Sequence, residues 1–578
     1  MSKTLFWYIF WQLLKVFALA TCSLAGIMCF GGLLRPLTEH GLDLRQVNRM
    51  LLYMVPAMST YSLPVAALFA ATIVYGRLSA DNELTALRAG GVSYLSLRRF
   101  SIALPALVLG LTVAVTSLLM LCFIVPIYSR KVQEVIYSNI AKVIASDIQR
   151  EHEVNFRAFS GDLHVYADQA RLSPPDPANP SLQQVGLIGP AIVTYENPEP
   201  NNIPDLRVPH MFWMARSALV TIQRNEDDSS GTAATLYARL TDGIKFPREF
   251  YGNVQAGVAD TTFGPMEIPP LIHENVKFLN VHRLTELAAN PGQGERVQVV
   301  LRSLIRREQE TTCLQLIAAK INRADSDSYR FPTEGEEGFE LGGRGATAQL
   351  RGPDLVITAP PHANDRRSVW MRQTHGSQET LYATAKEIHV RAYPVGTKST
   401  VSSQRMAMSI ELYDTQLRTQ EGPSERSSFV RSFSEPMPAE VRRLFGKTLA
   451  DFSHDPMITP NDAMVLHHEQ VVVNNAARSE LHGRASFALS CLILVMVGCA
   501  LGVMFKSGNF LNAFAVSFVP ALLCITLIFG GQQAATHVPY ETGMNFHDPL
   551  HTALWFIWSG DLAVMATAIY LTIRLQRR

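Results

Sequence analysis

The chain has 578 residues, 47% of them hydrophobic and 17% charged, with 51 Lys and Arg against 50 Asp and Glu and a formal net charge of +1. These are ordinary averages for a globular protein, and so even a charge balance excludes a strongly basic nucleic-acid-binding chain. The averages conceal two extremes, because apolar runs occupy both ends of the sequence while the charges concentrate in residues 127–484.

Three apolar stretches open the chain, at residues 11–34, 51–75 and 100–125, and each reaches the roughly 20 residues that a hydrocarbon core demands. The first is no cleaved signal, since its run continues through Met28 and Phe30 to Leu34 and a signal core is only about 7–15 residues long. Phe6, Trp7, Tyr8, Phe10 and Trp11 form an aromatic cluster before it, suited to a membrane interface. Lys15 can snorkel toward the same interface.

Residues 77–91, between the second and third stretches, read Arg-Leu-Ser-Ala-Asp-Asn-Glu-Leu-Thr-Ala-Leu-Arg-Ala-Gly-Gly. An N-cap at Ser79, acids at Asp81 and Glu83 and a glycine stop predict a short helix. Leu84 and Leu87 give it a small apolar face. That mixture suits docking in a groove of another protein and equally an ordinary interfacial helix, and the residue pattern alone leaves both open.

Residues 127–484 read as a β-rich domain. Runs at 163–167, 218–222, 235–239, 355–358, 380–384 and 388–392 are separated by Gly, Pro, Asn and Asp clusters and predict a sandwich or jelly-roll. Thr-Leu-Tyr-Ala occurs at 235 and again at 380, and Gly161-Asp-Leu-His-Val is loosely echoed by Gly352-Pro-Asp-Leu-Val; two related β-modules and chance repetition both remain open. Val300, Leu304, Leu314, Ile317 and Ile321 predict a helical insert over residues 296–324. Polar composition marks residues 223–233, 325–348, 360–379 and 415–438 as loops. Of seven cysteines only Cys313 lies in this domain, which therefore has no internal disulfide and depends on its core.

Three further apolar stretches close the chain, at residues 485–505, 510–530 and 553–573. Asp561 lies inside the last, where an ionisable group is costly and faces a partner or a wet cavity. Orientation follows from the short loops. Arg77, Arg88, Arg98, Arg99, Lys506, Arg574, Arg577 and Arg578 share one side, while Arg35, Arg45 and Arg49 on the other are offset by Glu39 and Asp43. Basic residues stay inside, so both termini are expected in the cytoplasm and the large domain outside. The expected fold is an α-helical polytopic membrane protein with six transmembrane helices, three plus three, around a large jelly-roll-like domain; its parts are residues 1–126, 127–484 and 485–578.

No catalytic constellation emerges. There is no phosphate-binding loop ending in Gly-Lys-Ser/Thr and no Gly-x-Ser-x-Gly elbow. His467, His468 and Glu469 lack the second half of a zinc-helix motif, and His537, His547 and His551 lack ligand spacing. No metal, cofactor or enzymatic activity is expected. Within the spans, Asp561 and Lys15 supply too few paired charges for an ion-coupled secondary transporter; a non-transporting envelope assembly or adhesion protein is the other alternative.

The segment Arg77–Ser93 closely resembles the signature following the second span of the LptF/LptG (YjgP/YjgQ) permeases of lipopolysaccharide export, as do His482-Gly-Arg484 at the entry to span four and Trp558-Ser-Gly-Asp-Leu562 in span six. The resemblance implies a bacterial inner-membrane permease subunit of an ATP-driven exporter, with a periplasmic β-domain. Its implied partners are a cytosolic ABC ATPase dimer, a second permease subunit, lipopolysaccharide or a related anionic lipid, and a periplasmic β-jelly-roll bridge protein. It makes Arg77, Asp81, Glu83, Leu84, Leu87 and Arg88 the ATPase-coupling helix, with Glu83 at the family's acidic position. Arg35 is positioned like the family's lipid-phosphate contacts. The chain departs from the family in an external segment about twice the usual size and in Gly560-Asp561 where a Pro-Asn pair is common.

Overall fold

The computed structural model describes residues 2–39, 44–90, 92–93, 101–129, 131, 140–158, 161–173, 182–195, 209–224, 234–246, 257–268, 275–323, 328–332, 337–359, 368–376, 378–395, 405–419, 422–452, 455, 457–505, 510–539 and 548–577. Its helices are α1 (Ser2–Glu39), α2 (Leu44–Ala80), α3 (Glu83–Ala89), α4 (Leu104–Leu119), α5 (Ile140–Glu151), α6 (Val281–Ala289), α7 (Glu295–Ile321), α8 (Ala439–Arg443), α9 (Leu449–Phe452), α10 (Pro460–Met504), α11 (Phe510–Thr536) and α12 (Leu550–Arg577). The chain forms two units, one of Met1–Ile140, Ile272–Val297 and Met464–Arg578, the other of Ala141–Leu271 and Gln298–Ala463.

Among the described residues, six helical segments of the first unit are long and apolar enough to cross a membrane: Lys3–Gly31, Leu51–Ala80, Leu104–Ser129, Pro460–Met504, Phe518–Thr536 and Leu550–Arg577. This is the build of a polytopic membrane protein. The segment begun by α4 continues through a π turn at Met120–Ile124. The helix carrying the expected 485–505 span starts much earlier, at Pro460, so Arg484 lies within a helix and not at its entry.

Burial ranks these helices. In α10 78% of the most apolar window is buried and in α2 61%, against 22–39% in the other four, so α2 and α10 form the centre. One apolar core gathers Ile9 and Leu13 of α1, Ala67, Ala71 and Tyr75 of α2, Ala106 and Leu109 of α4, and Cys491 and Val495 of α10. A second joins Leu68, Leu494, Val497, Cys524 and Val564. Trp7, Leu19, Ile27, Val519, Trp555 and Ile569 remain exposed on the outer helices. Large apolar side chains on an outer surface fit a protein whose surroundings are lipid.

Hydrocarbon offers no hydrophobic drive between helices, so close approach of small residues replaces it. Gly498 and Gly502, one turn apart on α10, sit against α2: a methyl at Gly498 would lie 2.8 Å from the Leu68 carbonyl oxygen, and one at Gly502 2.9 Å from that of Thr72.

The second unit holds two nine-stranded antiparallel sheets. The first contains β1 (Glu153–Ala158), β2 (Gly161–Tyr166), β3 (Gln169–Leu172), β4 (Leu182–Ile188), β5 (Ala191–Tyr195), β6 (Pro209–Met214), β7 (Ser217–Arg224), β8 (Ala234–Phe246) and β9 (Gly257–Ile268). The second contains β10 (Ser328–Arg330), β11 (Glu337–Gly343), β12 (Thr347–Arg351), β13 (Asp354–Thr358), β14 (Val369–His375), β15 (Gln378–Ala385), β16 (Glu387–Val395), β17 (Arg405–Thr419) and β18 (Gly422–Pro436).

Their strand orders are the same. The first runs β1-β2-β5-β6-β8-β7-β4-β3 with β9 beside β8, and the second β10-β11-β14-β15-β17-β16-β13-β12 with β18 beside β17. The registers match residue by residue. Ala170, Leu187, Ala218 and Leu240 face one another across β3, β4, β7 and β8, as Ala348, Ile357, Ile388 and Leu412 do across β12, β13, β16 and β17. Two residues after each final leucine comes an aspartate in the left-handed region, Asp242 (φ 54) and Asp414 (φ 53). There the long strand exchanges partners: β8 passes from β7 to β6, and β17 from β16 to β15. Asp tolerates that backbone better than most residues. Each sheet is also preceded by a helix with an amide cap on the same edge strand, Gln149 donating to the Ala170 carbonyl at 3.1 Å and Asn322 to that of Ala348 at 2.9 Å.

The structure therefore contains one helix-plus-nine-strand plan twice. The sequence echoes do not mark it, because Thr235–Ala238 lies on β8 and Thr380–Ala383 on β15, whose counterparts are β17 and β6. Three predicted loops are corrected as well. Residues 325–348 contain β10 and β11, 360–379 contain β14, and 415–438 contain most of the β17–β18 hairpin. Their polar residues form solvated faces opposite buried ones such as Phe339, Leu341, Val369 and Met371.

Cys313, Leu314, Ile317 and Ile321 of α7 join Leu341, Met371, Ala383, Ile388, Met408 and Leu412 in one core, where burial pushes the Cys313 thiol up to about 12. Stacked Phe339 and Phe433, with ring centroids 4.0 Å apart, lie beside it. Glu435 of β18 is fully buried in this environment, and burial raises its carboxyl from 4.5 to about 7, against a smaller lowering by Lys320. Asp354 moves the other way: burial alone would raise it, but hydrogen bonds with His389 and Arg391 hold it at about 2.

Two predictions follow from the packing and the buried acid. Gly498→Leu should separate α2 from α10 and lower stability by about 2 kcal/mol or more, read as a reduced midpoint of detergent-induced unfolding. A carboxyl favoured in its protonated form by the fold stabilises at low pH, and that contribution disappears as pH rises from 4.5 through about 7. Hydrogen-exchange protection of β17 and β18, corrected for intrinsic rates, should therefore fall between pH 5 and pH 8 by up to about 3 kcal/mol, and Glu435→Gln should flatten the dependence.

Candidate functional site

The corner after α2 differs in detail from its sequence reading. Helix α2 runs through Ala80, so Ser79 is a buried helical residue and not an N-cap; its hydroxyl donates to the Val503 carbonyl at 3.1 Å. The cap position belongs to Asn82, held at φ 57 with no side-chain capping bond. Helix α3 then occupies Glu83–Ala89, and the Gly90 amide closes it on the Ala86 carbonyl at 3.0 Å.

The expected site residues divide by exposure. Arg77 and Asp81 are exposed and face each other at 3.6 Å. Glu83 is exposed in the first turn of α3, where an acid complements the helix dipole. Leu84 is 4% exposed and belongs to the core with Leu78, Val503 and Leu575. It is committed inside the chain and is not a free docking surface. Leu87 packs half-buried against the same core. Arg88 points inward too, its Nη2 donating to the Leu575 carbonyl of α12 at 3.2 Å. What the corner offers outward is a polar edge made by Asp81, just before α3, and Glu83 in its first turn.

Arg35 lies on α1, four residues before its last, Glu39; its side chain falls outside the described residues. Asp561 is 2% exposed on α12, with Oδ2 2.6 Å from the Ser486 hydroxyl of α10. That hydroxyl is also 3.2 Å from the Ile557 carbonyl. The arrangement ties α12 to α10.

A buried polar group to which the sequence reading assigned no role lies on α10. Arg484 is 2% exposed, and its Nε donates to Glu480 at 2.8 Å, one turn earlier. Its Nη2 reaches the carbonyls of Leu279 at 2.8 Å and of Val276 and Lys277 at 3.2 Å each. Gln532 of α11 donates to the second Glu480 oxygen at 2.8 Å. One guanidinium thereby satisfies the carbonyls of the 3-10 turn at Val276–Phe278 and fixes that turn to α10. The legible signal was the Glu-x-x-x-Arg spacing, which places both charges on one helical face.

His468 bonds through Nε2 to the Val538 carbonyl at 3.0 Å, and His547 lies outside the described residues. Among the described residues no group of three or more His, Cys, Asp or Glu could hold a metal ion.

Comparison with curated proteins gives no match. Residues 7–171 match the family described as lipopolysaccharide export system permease LptF/LptG, a stretch that takes in α1 to α5, the whole α3 corner and Arg35. Over that stretch, under a third of the chain, the sequence is similar to the LptF/LptG lipopolysaccharide export permeases, and the six membrane-length helices are those of a polytopic membrane protein.

Proposed function

We propose that the chain is the permease subunit of an ATP-driven exporter that draws lipopolysaccharide or a related anionic lipid from the bacterial inner membrane and passes it to a periplasmic β-jelly-roll bridge protein. In this reading a cytosolic ABC ATPase dimer supplies hydrolysis, and a second permease subunit completes the lipid cavity. Both termini and α3 face the cytoplasm, consistent with the basic residues near them, and the two-sheet unit faces the periplasm.

The observation that carries the proposal is the division of α3 into an exposed acidic edge and a buried apolar side, inside the stretch matched by the family. An amphipathic element whose apolar side is already held within its own chain presents its charges at a fixed position. A peripheral protein with complementary basic groups can then pair with Glu83 without having to order a loose loop. Arg35, near the far end of α1, supplies a cation where an anionic headgroup would lie, and Arg holds phosphate in a bidentate geometry.

Glu83→Lys should abolish co-purification of the ATPase with the tagged chain while membrane insertion, read by protease protection, stays normal; full retention of the ATPase would refute the docking assignment. Photocrosslinkers placed on α1 around Arg35 should capture a glycolipid. Capture only from other spans would move the cavity elsewhere.

A further inference from the structure

The contacts behind α3 assign it a role beyond docking. The last four carbonyls of a helix lack an intrahelical donor. Leu575 and Val503 stand within that last turn, in α12 and α10 respectively. Both receive their donor from the same corner: Arg88 serves Leu575 at 3.2 Å and Ser79 serves Val503 at 3.1 Å. The Arg88 cation also meets the negative end of the α12 dipole. Between these two bonds Leu84 fills the core shared by Leu78, Val503 and Leu575. Helix α3 is seven residues long, too short to be stable by itself, so these three contacts set its orientation.

We propose that Arg88 and Ser79 are positioning residues that clasp the α2–α3 corner to the ends of α12 and α10, so that force applied to α3 moves two spans of the C-terminal half. The proposal rests on the docking reading of α3. Its mechanical content is that the corner and the two helix ends move as one body. Loss of the Arg88 bond leaves the Leu575 carbonyl uncapped and the corner held only by the Leu84 packing and the Ser79 bond.

The test uses the full chain with its ATPase in proteoliposomes containing lipopolysaccharide, comparing wild type, Arg88→Ala and Arg88→Lys. Three quantities are read: ATPase retained, lipid released per ATP hydrolysed, and the pulsed-EPR distance between spin labels at Ala89 and Arg577. Arg88→Ala should retain the ATPase within about twofold, lower lipid release per ATP about tenfold, the scale of a lost charged hydrogen bond, and broaden the distance distribution. Arg88→Lys, still a cationic donor, should recover most of the release and narrow the distribution again. A wild-type release ratio with an unbroadened distance in Arg88→Ala overturns the clasp. So does a parallel fall of retention, hydrolysis and release at an unchanged ratio, which marks a merely structural residue. If wild type itself retains no ATPase, the docking reading fails, and the distance measurement still decides whether the clasp exists.

Discussion

At two helix ends and one 3-10 turn of this protein, carbonyls take their donor from a segment far away in the chain. Arg88 reaches the end of α12, Ser79 the end of α10, and Arg484 the carbonyls of the turn at residues 276–279. In water such carbonyls would be solvated at little cost. In or beside hydrocarbon an unsatisfied one is expensive, which makes each of these donors a tie between segments far apart in sequence. The membrane unit is accordingly joined by apolar packing along its helices and by polar ties at their ends. Glycines at 498 and 502 permit the close central contact on which both depend.

The second unit is organised by repetition. A long strand that exchanges partners at a left-handed aspartate, an alanine-led ladder across four strands, and an amide cap on the edge strand all occur twice. This accounts for a β-rich segment about twice the size that the LptF/LptG resemblance implies. The second copy holds a buried glutamate, a buried thiol and a packed phenylalanine group in and beside its core.

The membrane helices were legible because length and hydropathy decide them almost alone, and six strand runs were legible because alternation marks a half-buried strand. The duplication was not. Equivalent positions such as Ala218 and Ile388, or Thr241 and Tyr413, share burial or register without sharing a side chain, whereas the repeated Thr-Leu-Tyr-Ala falls on strands that do not correspond. Asp242-Gly243 carries the signature of a tight turn, yet β8 continues through it. At the candidate site the composition of α3 was readable but its orientation was not: Leu84 and Arg88 have the chemistry of docking residues, and only tertiary contact shows both directed into the chain. Arg484 was legible only as part of the His482-Gly-Arg484 motif at the entry to span four; its Glu480 partner follows from helical spacing, but its carbonyl partners at residues 276–279 come from an element that no local pattern connects.

Two nine-strand plans of the same strand order in one polypeptide create a hazard during synthesis, because an unfinished copy can accept a strand from its twin. The order of the chain limits that exposure. β9 completes the first copy at Ile268, and the helical stretch from Val276 to Ile321 emerges before the first strand of the second. A ribosome moving at ordinary speed thus grants the earlier copy an interval of several seconds to close its own ladders, and that delay acts as a proofreading step written into the spacing of the genetic message.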